Sequence, residues 1–225
     1  MEYRATAVLV AAGSSTRMGF DKLSFDLGGE TVLERSVRAF DECPEVDELV
    51  IVTGASSENA QRAAARCKKP VQLVKGGSTR AESARSGVAA AHGRLVAVHD
   101  AARPFVSQSV IADTIAAAAR CGAAAPAVPV KDTIKTVAED GAVTGTPDRS
   151  TLRAVQTPQV FEADLLKAAL QSALENEVPV TDDCSAVERL GKVVYLIDGD
   201  EENLKITTPV DLVIAEAILA EREGR

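Results

Sequence analysis

The sequence predicts a doubly wound, mostly parallel α/β sheet that carries a protruding β-hairpin arm. Three observations lead there. Short apolar runs alternate with helical patterns through residues 1–130, and the first run ends in a glycine-bearing loop with cations close behind it. The alternation then breaks at residues 131–156 into a Thr-rich stretch around an Asp140-Gly141 turn. Runs of this kind suit strands buried on both faces, which is how helices cover a parallel sheet.

Taken in order, residues 5–11, 48–53, 71–74, 95–99 and 123–130 are the apolar runs, each of strand rather than helix length. Between them, residues 31–40 place Leu33, Val37 and Phe40 on one helical face. Residues 80–91 form an Ala-rich pattern bounded by Gly76-Gly77 and Gly93, and residues 107–120 stop before Cys121-Gly122. The arm flanks its Asp-Gly turn with Ile134, Val137, Val143 and Leu152. So few large apolar residues make no core of their own, so the arm is expected to pack against a second subunit. Helical pattern returns at 163–174, where Leu166, Leu170 and Leu174 share a face, and residues 193–197 read as a strand. Thr208-Pro209 opens the last helix, with Thr as cap, Pro at the first helical position and Asp211 at the capping-box position.

The chain of 225 residues has room for one nucleotide-handling domain over 1–225, with 131–156 as a dimerisation arm. Aromatic residues make up 3% and Trp is absent, so Val, Leu, Ile and Ala must build the core. A net charge of −8 argues against nucleic acid, whose phosphate backbone needs a basic surface. It leaves room for a small anion, which responds to local groups. Cys43, Cys67, Cys121 and Cys184 are widely spaced, which reads as free thiols in a reducing compartment rather than a zinc site or disulfide framework. No bilayer-length apolar run and no secretory leader are apparent, so no membrane association and a cytoplasmic location are expected.

The segment AVLVAAGSSTRMGFDK at residues 7–22 joins backbone amides to two cations, Arg17 and Lys22, at the end of the first strand. That combination suits a triphosphate. Gly13 and Gly19 fit neither the dinucleotide fingerprint nor the Walker A loop, which argues against a nicotinamide-dependent dehydrogenase. A plain strand-to-helix turn with surface cations is the competing reading. Lys75-Gly76-Gly77-Ser78-Thr79-Arg80 has the same strand-end character, with amides available to a base or phosphate. His99-Asp100-Ala101-Ala102-Arg103 brackets two small residues with an acid that suits a metal ion and a base that suits an anion. Its alternative is an Asp helix cap with an Arg salt bridge. His99 reads as structural, and Asp198-Gly199-Asp200 as an acidic turn.

The ordered set AAGSSTRMG, HDAARPF, PVKDTIK, VQTPQVF, TDD and NLKITTPVDL closely resembles the 2-C-methyl-D-erythritol 4-phosphate cytidylyltransferase family over essentially the whole chain. The resemblance implies a Rossmann-like sheet of the nucleotide-diphospho-sugar transferase type. It implies a CTP pocket lined by Ala11, Ala12, Gly13, Gly77, Ser83, Asp100 and Ala101, with Arg17 and Lys22 on the phosphates. Arg103, Thr133, Arg149, Thr157, Thr181 and Lys205 would hold the methylerythritol phosphate, and Thr133 and Arg149 would serve the neighbouring subunit of a homodimer. Arg17, Lys22, Arg149 and Lys205 are the implied catalytic cations. Mg²⁺ would bridge phosphates, with Asp100 as its protein ligand. Two departures from the family pattern occur: Asp21-Lys22-Leu23 where Pro and Gln often flank the lysine, and Ser78 where an acid often follows the glycines. The nearest rival is a ribitol-5-phosphate cytidylyltransferase, disfavoured by Ala102 where Val is usual. A silent nucleotide-binding module is disfavoured by retention of the four cations.

Overall fold

A computed structural model describes residues 5–13, 20–54, 58–176 and 179–224. The β-strands are β1 (Ala5–Ala11), β2 (Glu48–Thr53), β3 (Val71–Lys75), β4 (Leu95–Asp100), β5 (Ala123–Pro129), β6 (Thr136–Val137), β7 (Val143–Gly145), β8 (Arg153–Val155), β9 (Gln159–Glu162) and β10 (Tyr195–Asp198). The helices are α1 (Val32–Asp41), α2 (Glu58–Ala65), α3 (Arg80–Ala89), α4 (Gln108–Cys121), α5 (Ala163–Glu175), α6 (Asp183–Arg189) and α7 (Pro209–Arg222). The main sheet runs β10-β5-β9-β4-β1-β2-β3, with β8 paired to the far end of β5. Strands β1 to β4 and the β5–β10 pair are parallel, while β9 is antiparallel to both its neighbours.

Alternation along the central strands divides the apolar side chains between two faces. Ala5, Ala7 and Leu9 of β1, with Leu49, Ile51, Leu95 and Ala97, pack with residues of α1, α2, α4 and α7. Val8, Val50, Val52, Val96 and Val98 pack on the other face with residues of α3, α5 and α6. The doubly wound prediction holds, and the core is aliphatic with Phe40 and Phe161 as its large rings.

Local signals account for the helix ends. Thr31, Thr79 and Ser107 cap α1, α3 and α4 through their hydroxyl oxygens. Gly122 sits at φ +85° and donates its N–H to the Ala118 carbonyl, so α4 ends where only a residue free of Cβ adopts that turn without strain. At α7 the Asp211 carboxylate accepts from the Thr207 and Thr208 amides.

The sequence reading passed over α2, α6 and β9. The hairpin forms as β6–β7. Residues 153–155, assigned to the arm from sequence, return to the main sheet as β8, because the Val155, Ala154 and Arg153 backbone pairs with Ala127, Val128 and Pro129. All four cysteines are free thiols.

Candidate active site

The parallel strands all end at one edge of the sheet. The chain leaves β1 toward β2 and β3 on one side, while β4 lies on the other, so the carboxyl ends of β1 and β4 are the point of order reversal at which open α/β sheets bind ligands. Ala11, Ala12 and Gly13 follow β1 to this edge, and the Ala101 amide donates to the Val10 carbonyl at 3.2 Å. A Cβ on Gly76 would lie 2.5 Å from the Ala12 methyl and 2.8 Å from Ser83 Oγ, so only glycine permits this approach. The Gly77 amide donates to Ser83 Oγ, which itself donates to the Thr79 carbonyl. Ala12, Gly77 and Ser83 are therefore brought together at this edge.

Asp100 ends β4 and gathers the charge. Its carboxylate meets Lys205 Nζ at 2.7 Å and Arg80 Nε at 3.2 Å. Burial alone would raise its pKa, but the Arg80 and Lys205 charges hold it below the ordinary carboxylate value. The Asp100 amide donates to Thr157 Oγ1. Arg103 donates to the Asn203 carbonyl at 2.5 Å, and Asn203 Nδ2 to the Thr157 carbonyl at 2.9 Å. Lys22 Nζ donates to the Ile206 carbonyl at 2.8 Å, while the Ile206 amide donates to the Ala102 carbonyl. Lys22, Asp100, Arg103, Thr157 and Lys205, distant in sequence, thus share one edge. The Asp-and-Arg alternative proposed for His99–Arg103 is half right: Asp100 takes an arginine, but it is Arg80, and Asp100 caps no helix because α4 begins after Ser107.

His99 is buried and its ring nitrogens face Thr157 Oγ1 at 3.0 Å and the Arg103 carbonyl at 3.2 Å. These partners assign Nε2–H as donor to Arg103 and Nδ1 as acceptor from Thr157. Burial lowers its pKa to about 4, so the ring is neutral at pH 7 and structural, as expected. Of the predicted acidic turn, Asp198 instead ends β10, while Asp200 opens a turn and accepts from the Glu202 amide.

The remaining predicted residues divide. Thr181 lies in the turn before α6 and is tied to Ser185. Thr133 and Arg149 are exposed on the arm, and Arg149 donates to the Lys131 carbonyl. Arg17 lies outside the described residues.

The model of the 2-C-methyl-D-erythritol 4-phosphate cytidylyltransferase family, IspD, matches residues 5–221. The chain belongs to that family. A Symbiobacterium thermophilum protein of that name is 45% identical, covering 98% of this chain and 95% of the relative. Another from Caldanaerobacter subterraneus subsp. tengcongensis is also 45% identical, covering 95% of this chain and 98% of the relative. Among solved structures, 4-diphosphocytidyl-2C-methyl-D-erythritol synthase from Anaerococcus prevotii superposes with a TM-score of 0.89 at 31% identity, over 97% of this chain and 99% of that one. The Thermus thermophilus 2-C-methyl-D-erythritol 4-phosphate cytidylyltransferase gives a TM-score of 0.79 at 36% identity, over 97% and 98%.

Within the family framework, both local departures have a physical account. Asp21 caps the single turn at Lys22–Ser24, accepting from the Leu23 amide and the Ser24 hydroxyl, while Leu23 is buried. The cap therefore does the ordering that proline does by restricting φ. Opposite Ser78, Glu82 returns a carboxylate to the loop and accepts from the Ser78 amide and hydroxyl. Sequence reasoning missed Arg80, Asp183, Gln159 and Asn203 as site residues. Arg80 NH2 reaches Asp183 Oδ2 at 2.9 Å, and Gln159 Oε1 accepts from the Asp183 and Cys184 amides. All four lie within the motif segments KGGSTR, TDD, VQTPQVF and NLKITTPVDL, and the signal they carried was a charged or amide side chain among small residues at a strand end.

Proposed function

We propose that this enzyme, a nucleotidyltransferase, joins CTP and 2-C-methyl-D-erythritol 4-phosphate to give CDP-methylerythritol and pyrophosphate. The observation that carries the reading is one sheet edge that holds the Asp100 carboxylate with Lys205 and Arg80 on it, Arg103 and Lys22 on the neighbouring Asn203–Ile206 segment, and the glycine turn of Gly77 and Ser83. Two polyanions need such a cationic edge to meet. An oxygen of the sugar phosphate attacks the α-phosphorus in line; the new P–O bond forms as the bond to pyrophosphate breaks. A phosphomonoester has its second pKa at about 6, so the nucleophile is already ionised and no general base is needed. A neutral, fully hydrogen-bonded His99 agrees with that.

In this reading Ala11, Ala12, Gly13, Gly77, Ser83, Asp100 and Ala101 take the nucleotide, and Arg17 and Lys22 stabilise charge on its phosphates. Arg103, Thr157, Thr181 and Lys205 hold the sugar phosphate, joined by Thr133 and Arg149 from a partner's arm. Val137 and Val143, 61% and 60% exposed on the hairpin, support a homodimer in which they are covered. Among the described residues there is no cluster of three or more His, Cys, Asp or Glu able to hold a metal. Mg²⁺ typically binds one or two carboxylates together with substrate phosphates. Both Asp100 oxygens face cations, Arg80 and Lys205, so Asp100 would serve the ion only by giving up one of them, and the phosphates would supply most of the ion's ligands. When bound there, the ion would neutralise phosphate charge. Four free thiols suit a reducing cytoplasm. Among the described residues, no helix is long and apolar enough to cross a membrane.

The test follows pyrophosphate release from CTP with methylerythritol phosphate and with ribitol 5-phosphate in parallel. Higher kcat/KM with methylerythritol phosphate is expected. Preference for ribitol 5-phosphate, or release from neither, overturns the assignment.

A further inference from the structure

Arg80 stands where the nucleotide loop, β4 and the turn before α6 meet. It opens α3 directly after the Thr79 cap, close to Gly77 and Ser83. Its Nε donates to Asp100 Oδ1 at 3.2 Å and its NH2 to Asp183 Oδ2 at 2.9 Å. Asp183 is buried and its Oδ1 has no partner, so Arg80 is the cation that balances this carboxylate. Burial raises the Asp183 pKa, with Arg80 pulling it only part of the way back. A guanidinium serves two carboxylates in two directions at once, whereas an ammonium offers one point charge.

We infer that Arg80 is a positioning residue for the sugar phosphate, acting through Asp100 and Asp183 rather than by touching substrate. The inference rests on the cytidylyltransferase reading. Two consequences of the geometry fall on the same side of the site. Arg80 shares the negative charge of Asp100 with Lys205, so the Lys205 ammonium is held less tightly and remains available to an incoming phosphate. Without Arg80, Asp100 competes with that phosphate for Lys205. Arg80 also ties Asp183 to β4, and with it the turn that carries Thr181. Gln159 anchors the same turn independently through the Asp183 and Cys184 amides, so its fold does not depend on Arg80 alone.

The experiment compares Arg80→Lys and the paired Arg80→Gln, Asp183→Asn variant with wild type, measuring KM for each substrate separately. Arg80→Lys keeps a cation against Asp183 but loses the fork to Asp100. The paired variant removes both charges, so no carboxylate is left stranded in the interior. KM for the sugar phosphate should rise roughly ten- to a hundredfold, the scale of a charge-assisted hydrogen bond. KM for CTP should stay within about threefold, because the Gly77–Ser83 turn is held through Thr79 and Asp100 keeps its pairing with Lys205 when Arg80 is changed. A merely structural role at the start of α3 would instead disturb Gly77 and Ser83 and raise KM for CTP. That pattern, or an unchanged KM for the sugar phosphate in Arg80→Lys, overturns the inference while leaving the function intact. Inactive wild type overturns both.

Discussion

Asp100→Asn preserves the shape of the side chain and deletes its charge. The carboxylate is 12% exposed, and its partners Arg80 and Lys205 retain 31% and 38% exposure. Removing one member of a buried ion pair costs about 3–5 kcal/mol. Because both cations here still reach water and an amide oxygen can still accept from one of them, the expected loss is about 2 kcal/mol. For a chain of this size, that lowers Tm by roughly 4–8 °C. The loss should also depend on pH with a definite sign. Burial acts to raise the Asp100 pKa, but Arg80 and Lys205 outweigh it, and the net direction is downward. A depressed carboxyl binds fewer protons folded than unfolded, so its contribution is complete above the unfolded pKa of about 3.9 and fades as pH falls through the lower folded value. Urea denaturation of both proteins from pH 8 to pH 3 is the assay. A constant gap down to about pH 5, narrowing below about pH 4, is expected. Equal midpoints at pH 7, or a gap that widens on acidification, would refute the placement of Asp100 as the charge centre.

Lys22→Ala should lower kcat by about two to three orders of magnitude, the cost of losing one transition-state donor, with an unchanged far-ultraviolet spectrum. Near-normal turnover removes Lys22 from the chemistry. Chelation with EDTA should abolish pyrophosphate release, and excess Mg²⁺ should restore it; turnover that persists in EDTA counts against a phosphate-bridging metal. Mixing the separately inactive Arg149→Ala and Lys205→Ala proteins should recover about a quarter of wild-type activity by random assortment of subunits, since each mixed dimer keeps one complete site. No recovery, with subunit exchange verified by a tag, would place Arg149 in its own subunit's site.

Most of the sheet was readable because five strands are continuous apolar runs of strand length separated by helical patterns. The helix ends were readable where a cap side chain or a glycine marks them, as at Ser107 and Gly122. What escaped notice had weak local signals. Strand β9 is four residues long, and its pairing with β4 and β5 is antiparallel and non-local. Helix α6 spans seven residues, too few for two full turns of periodicity, and its start is set by Asp182 and Gln159. At the site, the family resemblance named Lys22, Asp100 and Lys205, and the structure brings all three to one edge of the sheet. Motif spacing could not reveal that Asp100 pairs with Arg80 rather than Arg103, because Arg80 lies one helix earlier and meets Asp100 only once β4 and α3 are packed.

Strand β5 borders β9, not β4, within the sheet. The first four strands can therefore assemble from one unbroken stretch of chain as it leaves the ribosome, each new strand finding a neighbour already made. The fifth has no such luck: it ends at Pro129, while β8, the first partner made, begins at Arg153 and β9, which joins it to β4, at Gln159, after the whole hairpin has been synthesised. The two halves of the sheet are thus completed at different points of synthesis: residues up to 100 supply β1 to β4, and the half around β5 joins them only through β9.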